Sequence, residues 1–406
     1  MRTSHGLLTY CTNIHAGENW IDHFAALKQN IPGIKKRISA SQSFGIGLRL
    51  SHEASLQLQE KSALNDFKDW LKKEDCYVFT MNGFPYGGFH RTKVKDQVHA
   101  PDWTTPERVA YTIRLFNILI MLLPDGMEGG ISTSPLSYKY WHSGAPEQDV
   151  FEKTTKNILQ VVEHLIRIKN DTGKLLHLDI EPEPDGLLGN GPEFFDWYDR
   201  YLLPLGTVYL QQQLGLTTEK ATQAIKDHLQ LCYDVCHFAV GYENHAAIVK
   251  ELEEKKIKVG KIQISAALKA FIPEDQTKRE KVIQAFRQFN ESTYLHQVVA
   301  RQVDGTLKQY PDLPEALNDA GNPSTKEWRS HFHVPLFVED YGLLKSTQDD
   351  IRDVLSIQKQ QPFTKHLEVE TYTWEVIPDA LKLPLSESII REMEWVMSYL
   401  SNGVGR

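Results

Sequence analysis

Leu175-Leu176-His177-Leu178-Asp179-Ile180-Glu181-Pro182-Glu183-Pro184-Asp185-Gly186 reads as a short apolar-rich strand that stops abruptly in acidic residues. The two prolines end it, since each lacks a backbone donor for a neighbouring strand. Thr172-Gly173 precedes it, closing a helical pattern from Gln148 to Lys169. Helical segments at Glu193–Leu210 and Thr218–His228 follow, then a second apolar run, Leu229 to Asp234. Helix, strand, helix, strand is the rhythm of parallel strands with crossover helices.

Outward from that stretch the rhythm covers the whole chain. Upstream, strands are predicted at Leu7–Ile14, Phe44–Leu50, Tyr77–Met81 and Gly129–Ser132. The helices between them run over Trp20–Arg37, from the charged amphipathic segment to Leu71, and over Thr105–Leu123. Thr105 is the expected cap of the last, with Pro106 at its first position. Downstream, helix His245–Lys255 leads to strand Val259–Ile264, helix Thr347–Gln360 to strand His366–Thr371, and Glu387–Tyr399 closes the chain. Eight strand–helix units predict an α/β fold, a (β/α)₈ TIM barrel spanning residues 1–406 as one domain. The rival is an open doubly wound sheet, but no GxGxxG or GxxxxGK[ST] supports its nucleotide-binding forms. Residues 270–338 break the rhythm with a charged helix, Glu274–Phe289, a strand, Tyr294–Val303, and a proline-containing loop. This insertion between strands seven and eight is expected to lid or line the pocket, because loops at the carboxyl ends of barrel strands build the active site.

The chain has 406 residues, 41% of them hydrophobic, and a formal net charge of −8. That charge gives no reason to expect nucleic acid or an anionic membrane as partner. Four cysteines without a CxxC pair suggest a reducing compartment. Residues 1–10 do not read as a signal peptide, and the apolar stretch around Ile118–Leu123 is too short to span a bilayer. A cytoplasmic location and a small-molecule partner are expected; a homodimer is left open.

Function is sought in the acidic strand ends. Glu181 and Glu183 end strand five, Asp234 ends strand six with His237 three residues on, strand seven carries Gln263, and strand eight carries Glu368 and Glu370. Carboxylates at neighbouring parallel strand ends converge on one rim, within reach of one divalent ion. Oxygen-rich ligands with a histidine or two suit Mn²⁺, Mg²⁺, Fe²⁺ or Zn²⁺. The bland readings are a strand terminator for Glu181, an Asx turn for Asp234, and an ion pair for one of Glu368 and Glu370. His331 and His333 share a face of an extended segment and either point into the pocket or lie solvated on the surface. Asn82, Glu183 and His90 are candidate substrate contacts, as are His15 and Arg49 at the ends of strands one and two. Cys232 and Cys236 read as small buried apolar residues.

Taken together, LTYCTNIHAGENW (8–20), FTMNGFPYGGFH (79–90), VKDQVHAPDW (94–103), LDIEPEPDG (178–186), YDVCHFAV (233–240), KIQISAAL (261–268), HFHVPLF (331–337) and LEVETYTWEVIP (367–378) resemble the EboE metabolite traffic proteins. These are sugar phosphate isomerase/epimerase-like members of the xylose-isomerase-like TIM-barrel superfamily. The resemblance implies that Glu181, Asp234 and Glu370 hold a divalent metal and that His237 contacts substrate. Gln263 stands where a His is usual, so either Gln263 or a His of the insertion, His331 or His333, completes the set. The expected function is a metal-dependent isomerase or epimerase acting on a sugar, polyol or cyclitol-type metabolite in an Ebo-type secondary-metabolite pathway, with a functional link to other Ebo-cluster proteins. Its catalytic groups would be Glu181, Glu370, His237 and His331. The alternative is a non-catalytic metabolite carrier using the same pocket; an apurinic-site nuclease is disfavoured by the acidic charge.

Overall fold

A computed structural model of the chain describes residues 1–89, 94–375, 382 and 384–401, so His90 lies outside the described residues. Eight parallel strands form the barrel: β1 (Gly6–Tyr10), β2 (Phe44–Arg49), β3 (Cys76–Asn82), β4 (Gly129–Thr133), β5 (Leu176–Ile180), β6 (Leu229–Asp234), β7 (Val259–Ile264) and β8 (His366–Val369). They pair in the order β1-β8-β7-β6-β5-β4-β3-β2. The remaining seam, β1 against β2, is joined by a bridge between Cys11 and Gly47 and by threonine side chains. The Thr9 hydroxyl donates to the Gly45 carbonyl at 2.7 Å, and the Thr12 hydroxyl accepts from the Arg49 backbone N–H at 2.9 Å. The barrel is nearly closed, with side chains standing in for a ladder at one seam.

The strands form where they do because each is buried on both faces, as helices cover the outside and side chains fill the inside. All of β2, β4, β5, β6, β7 and β8 is buried. Helix starts follow local chemistry: Asn19, Thr217 and Asn244 each accept a backbone N–H of the first turn. Thr105 does not act this way. Its helix begins at Pro106 as expected, but the hydroxyl donates to the Asp102 carbonyl at 2.7 Å instead.

The barrel interior departs from the usual filling of branched aliphatics. His177 and Asp179 pair at 2.6 Å, and Lys261 pairs with Glu368, all fully buried. Glycines make the room. A Cβ on Gly47 would overlap the Glu368 carboxylate, and one on Gly130 would overlap His177 and Asp179.

Two expectations are corrected in extent. The first strand stops at Tyr10, and Thr12–Ile14 form a 3-10 turn that swings Asn13 over the barrel mouth. The insertion is larger than 270–338. It is an antiparallel sheet of Leu268–Phe271, Val298–Gln302, Leu307–Tyr310, Thr325–Ser330, Asp340–Tyr341 and Leu344–Ser346. Helix Gln276–Arg287 packs on it through Val282, Ile283 and Phe286, the last edge-on to Trp328. Leaving β7 at its carboxyl end, this sheet sits on the side where the acidic strand ends open.

Candidate functional site

Glu181 follows β5, Asp234 ends β6 and Glu370 follows β8, so three sectors of the rim each contribute one buried carboxylate. The three offer oxygens that all lie within 4.8 Å of one another. Their partners fix which oxygens remain available. Asp234 Oδ1 accepts from the Ser265 hydroxyl at 2.6 Å and from the Cys236 backbone at 2.8 Å. Asp234 Oδ2 is buried with no hydrogen-bond partner. Glu370 Oε1 accepts from the Asn13 and Asn82 amides at 2.8 and 2.9 Å, while Oε2 accepts from the Gln263 amide.

The insertion closes the group from above. His333 donates from Nδ1 to the Glu370 backbone carbonyl at 3.0 Å, which leaves Nε2 as the bare nitrogen. That nitrogen is buried, has no hydrogen-bond partner and stands 3.8 Å from Asp234 Oδ2. His237 likewise donates from Nδ1 to the Pro182 carbonyl at 2.9 Å and turns Nε2 toward Asp234 Oδ2 at 3.9 Å. A second group, Asp234, His237 and His333, therefore shares its carboxylate with the first. His331 lies edge-on to His237 with ring centres 4.7 Å apart, Nδ1 held by the Gln297 side chain at 2.6 Å and Nε2 3.4 Å from the Tyr372 hydroxyl.

The electrostatics are those of a site short of positive charge. Burial pushes the Glu181 carboxyl well above the carboxylate range, and Glu370 and Asp234 push it further. Burial and the neighbouring Asp234 and Glu368 raise Glu370 to about 8. Asp234 goes the other way: burial acts to raise it, but His237, His333 and the Ser265 hydroxyl hold it below the usual value. Burial lowers His333 to about 4, so its Nε2 is a lone-pair donor at neutral pH. Three carboxylates crowded in low dielectric, an orphaned carboxylate oxygen and an orphaned imidazole nitrogen fit a divalent cation. Glu181, Asp234 and Glu370 form one group that could hold it, and Asp234, His237 and His333 form a second that shares the Asp234 carboxylate.

The other expected residues separate into those at the cavity and those away from it. Asn82, Glu183, His237 and His331 line the cavity above the carboxylates with Asn13 and Tyr372. His15 is buried against the Tyr10 hydroxyl at 2.8 Å, and Arg49 is engaged by Glu18 at 2.9 Å and the Gly87 carbonyl at 2.5 Å; neither lines the cavity. Gln263 lies beneath it, its oxygen accepting from the Cys232 thiol at 2.6 Å while its amide supports Glu370. Cys232 and Cys236 are fully buried. Sequence reasoning misses Asn13, Ser265, Gln297 and Tyr372. A short polar residue just past a strand end is the available signal for Asn13 and Ser265; Gln297 carries none.

No protein-family model matches the chain, and no curated protein matches it. Solved structures do share its architecture. A xylose isomerase-like TIM barrel protein from Mycobacterium smegmatis, in complex with magnesium, is 11% identical over 99% of each chain with a TM-score of 0.51. The IolI protein with a bound zinc atom is 11% identical over 97% of each chain with a TM-score of 0.48. At such identity the likeness concerns the fold, and the fold is that of xylose isomerase-like TIM barrels, with an added antiparallel sheet.

Proposed function

We propose that the chain is a divalent-metal-dependent isomerase or epimerase acting on a sugar, polyol or cyclitol-type metabolite. The observation that carries this reading is the convergence of Glu181, Asp234 and Glu370 beneath the bare Nε2 of His333. Magnesium in the Mycobacterium smegmatis barrel of like fold supports a divalent ion here; Mg²⁺, Mn²⁺, Fe²⁺ and Zn²⁺ all suit three carboxylates and an imidazole. Such an ion polarises a carbonyl oxygen and steadies the negative charge that builds on it.

The chain's own residues do the rest. Asn13 and Asn82 hold Glu370 in place through its Oε1, and the Gln263 amide holds Oε2 on the side facing the cluster. Glu183 and the amides at the cavity wall accept from and donate to substrate hydroxyls. His237 Nε2, bare because Nδ1 is engaged by Pro182, takes a proton from the carbon beside the carbonyl and returns it on the same face to the neighbouring carbon, whereas inversion would need a second acid on the opposite face. His331, braced by Gln297 and facing the Tyr372 hydroxyl, serves the substrate oxygens. The motif resemblance supports an Ebo-type secondary-metabolite pathway as the setting.

The test is solvent exchange. Protein loaded with Mg²⁺ or Zn²⁺ is incubated in D₂O with a panel of ketoses and keto-cyclitols and followed by proton NMR. The expected result is metal-dependent deuterium uptake next to the carbonyl, lost in Glu181→Ala. A metal-bound protein that binds panel members without exchanging any of them would contradict the enzyme and favour a carrier.

A further inference from the structure

We propose that the amino-terminal mouth of the barrel, at the end opposite the carboxylate cluster, is a second binding site that takes the anionic group of a small metabolite, a phosphate or a carboxylate. The inference stands apart from the metal reading. A cavity of about 280 Å³ opens there, against about 50 Å³ above the cluster. Sites for small molecules begin at roughly 300 Å³, so the mouth is close to the size of one. Its walls include Arg2, Leu7, the Gly126–Glu128 turn, Lys365 and His366, all of which precede or open barrel strands.

The mouth is open because of what fills the barrel behind it. His366 and Glu368 are alternate residues of β8 and share a face, as His177 and Asp179 do on β5. Those faces point inward, since Glu368 pairs with Lys261 and His177 with Asp179, all of them buried. The layer nearest the mouth therefore holds two imidazoles, His177 and His366, with ring centres 5.7 Å apart, and Phe79 edge-on to His366 at 4.8 Å. Flat rings leave a hollow that the usual branched aliphatics would fill. In front of it the Arg2–Leu7 hairpin lies close on β8. It seats there only because position 6 is glycine: its φ is +138°, and an added Cβ would come within 2.8 Å of the Lys365 carbonyl.

The polar groups of the mouth are short of partners. His366 is 1% exposed, and its Nδ1 is buried with no hydrogen-bond partner. An unpaired buried nitrogen is costly, and an oxygen of a ligand offers the missing bond. Burial holds the imidazole well below its ordinary pKa, and His177, Lys261 and Lys365 push the same way. Those neighbours resist a further positive charge and favour a negative one. Among the described residues lining the cavity, Arg2 and Lys365 are cations and Glu128 is the carboxylate. Lys365 pairs with Glu128 at 2.9 Å, but 73% of the lysine side chain is exposed. Water screens such a pair, so a ligand anion can displace Glu128 at small cost. Arg2, exposed at the rim, adds a second cation to the same cavity.

The experiment titrates the full chain with inorganic phosphate and, separately, with malonate by isothermal calorimetry, alongside Arg2→Ala, Lys365→Ala, Glu128→Gln and Glu181→Ala. One anion is expected to bind at a single site, weakened about fivefold in Arg2→Ala and in Lys365→Ala, whose exposed charges leave the fold intact. Glu128→Gln frees Lys365 and should tighten binding by a similar factor. Glu181→Ala, at the far end of the barrel, should leave it unchanged. The stronger binder of the two tells a phosphate site from a carboxylate site. In protein labelled with ¹⁵N-histidine, one ring resonance should move in step with the calorimetric isotherm as His366 gains its partner. No binding of either anion up to about 20 mM would overturn the proposal. So would affinities equal to the wild type in both the Arg2 and Lys365 variants, loss of binding in Glu181→Ala, or saturation with no histidine resonance moving.

Discussion

The barrel rim and the insertion contribute to one cluster by different means. The rim presents Glu181, Asp234 and Glu370 from strands of a single parallel sheet, where strand pairing fixes the separation of neighbouring ends. The insertion presents His331 and His333 from an irregular segment after strand Thr325–Ser330, positioned by a backbone bond from the His331 N–H to the Gln297 carbonyl and by the Nδ1 bond of His333. The rim crowds carboxyls that burial and one another's charge push toward holding protons; the insertion supplies an imidazole nitrogen, that of His333, beside Asp234. On the proposed reading, a bound cation would make the two regions a unit.

Breaking the rim should have the largest effect. Removing a supporting contact of a metal ligand typically costs roughly 10–100-fold in affinity, so losing a ligand itself through Glu181→Ala or Glu370→Ala should weaken Mn²⁺ or Zn²⁺ binding by more than about 100-fold. Isothermal titration of the metal-free proteins measures this, and near-wild-type affinity in both would dissolve the rim's role. Breaking the insertion's contribution should come next. His333→Ala is expected to weaken binding roughly 10–100-fold while leaving the metal-free protein folded by circular dichroism. Affinity equal to the wild type would leave the insertion a mere cover.

Gln263 sharpens the contrast. It touches Glu370 and Cys232 and has no direct place in the cluster, so Gln263→Leu should weaken binding by about tenfold, the low end of the range for a supporting contact and less than His333→Ala. The reverse order would make Gln263 the ligand and His333 its support. The smallest effect is on stability against pH. The Glu370 carboxyl is raised from the ordinary value of 4.5 to about 8, so its contribution is present below pH 4.5 and is lost as pH climbs through about 8. Metal-free protein should lose stability across that window, on the order of 1 kcal/mol per pH unit for the group. Bound metal should flatten the slope, and identical slopes in denaturant melts with and without Zn²⁺ would contradict it.

The rim is easier to read in the sequence than the insertion, for one physical reason. An acidic residue closing an apolar run has its position set by the strand, so spacing alone puts Glu181, Asp234 and Glu370 on one rim. Alternation puts His331 and His333 on one face of an extended segment, but where that face lies depends on contacts over long sequence distances, with Gln297 and with the Glu370 carbonyl. The insertion outruns its expected bounds at both ends because Leu268–Phe271 and Leu344–Ser346 are short strands whose partners are each other and strand Thr325–Ser330. Arg49 ends β2 as expected and His15 follows the turn after β1, yet side-chain partners engage both away from the cavity. Position along a strand shows which residues reach the rim; what they face depends on neighbours brought by other elements.

The most direct test of the central claim is a crystal structure of the protein soaked in Mn²⁺, with anomalous scattering used to place the ion. The expected result is one peak bounded by Glu181, Asp234 Oδ2, Glu370 Oε2 and His333 Nε2, with metal–ligand distances of about 2.0–2.3 Å. An ion bound through the Gln263 oxygen with His333 left out, or no peak among these residues, would contradict it.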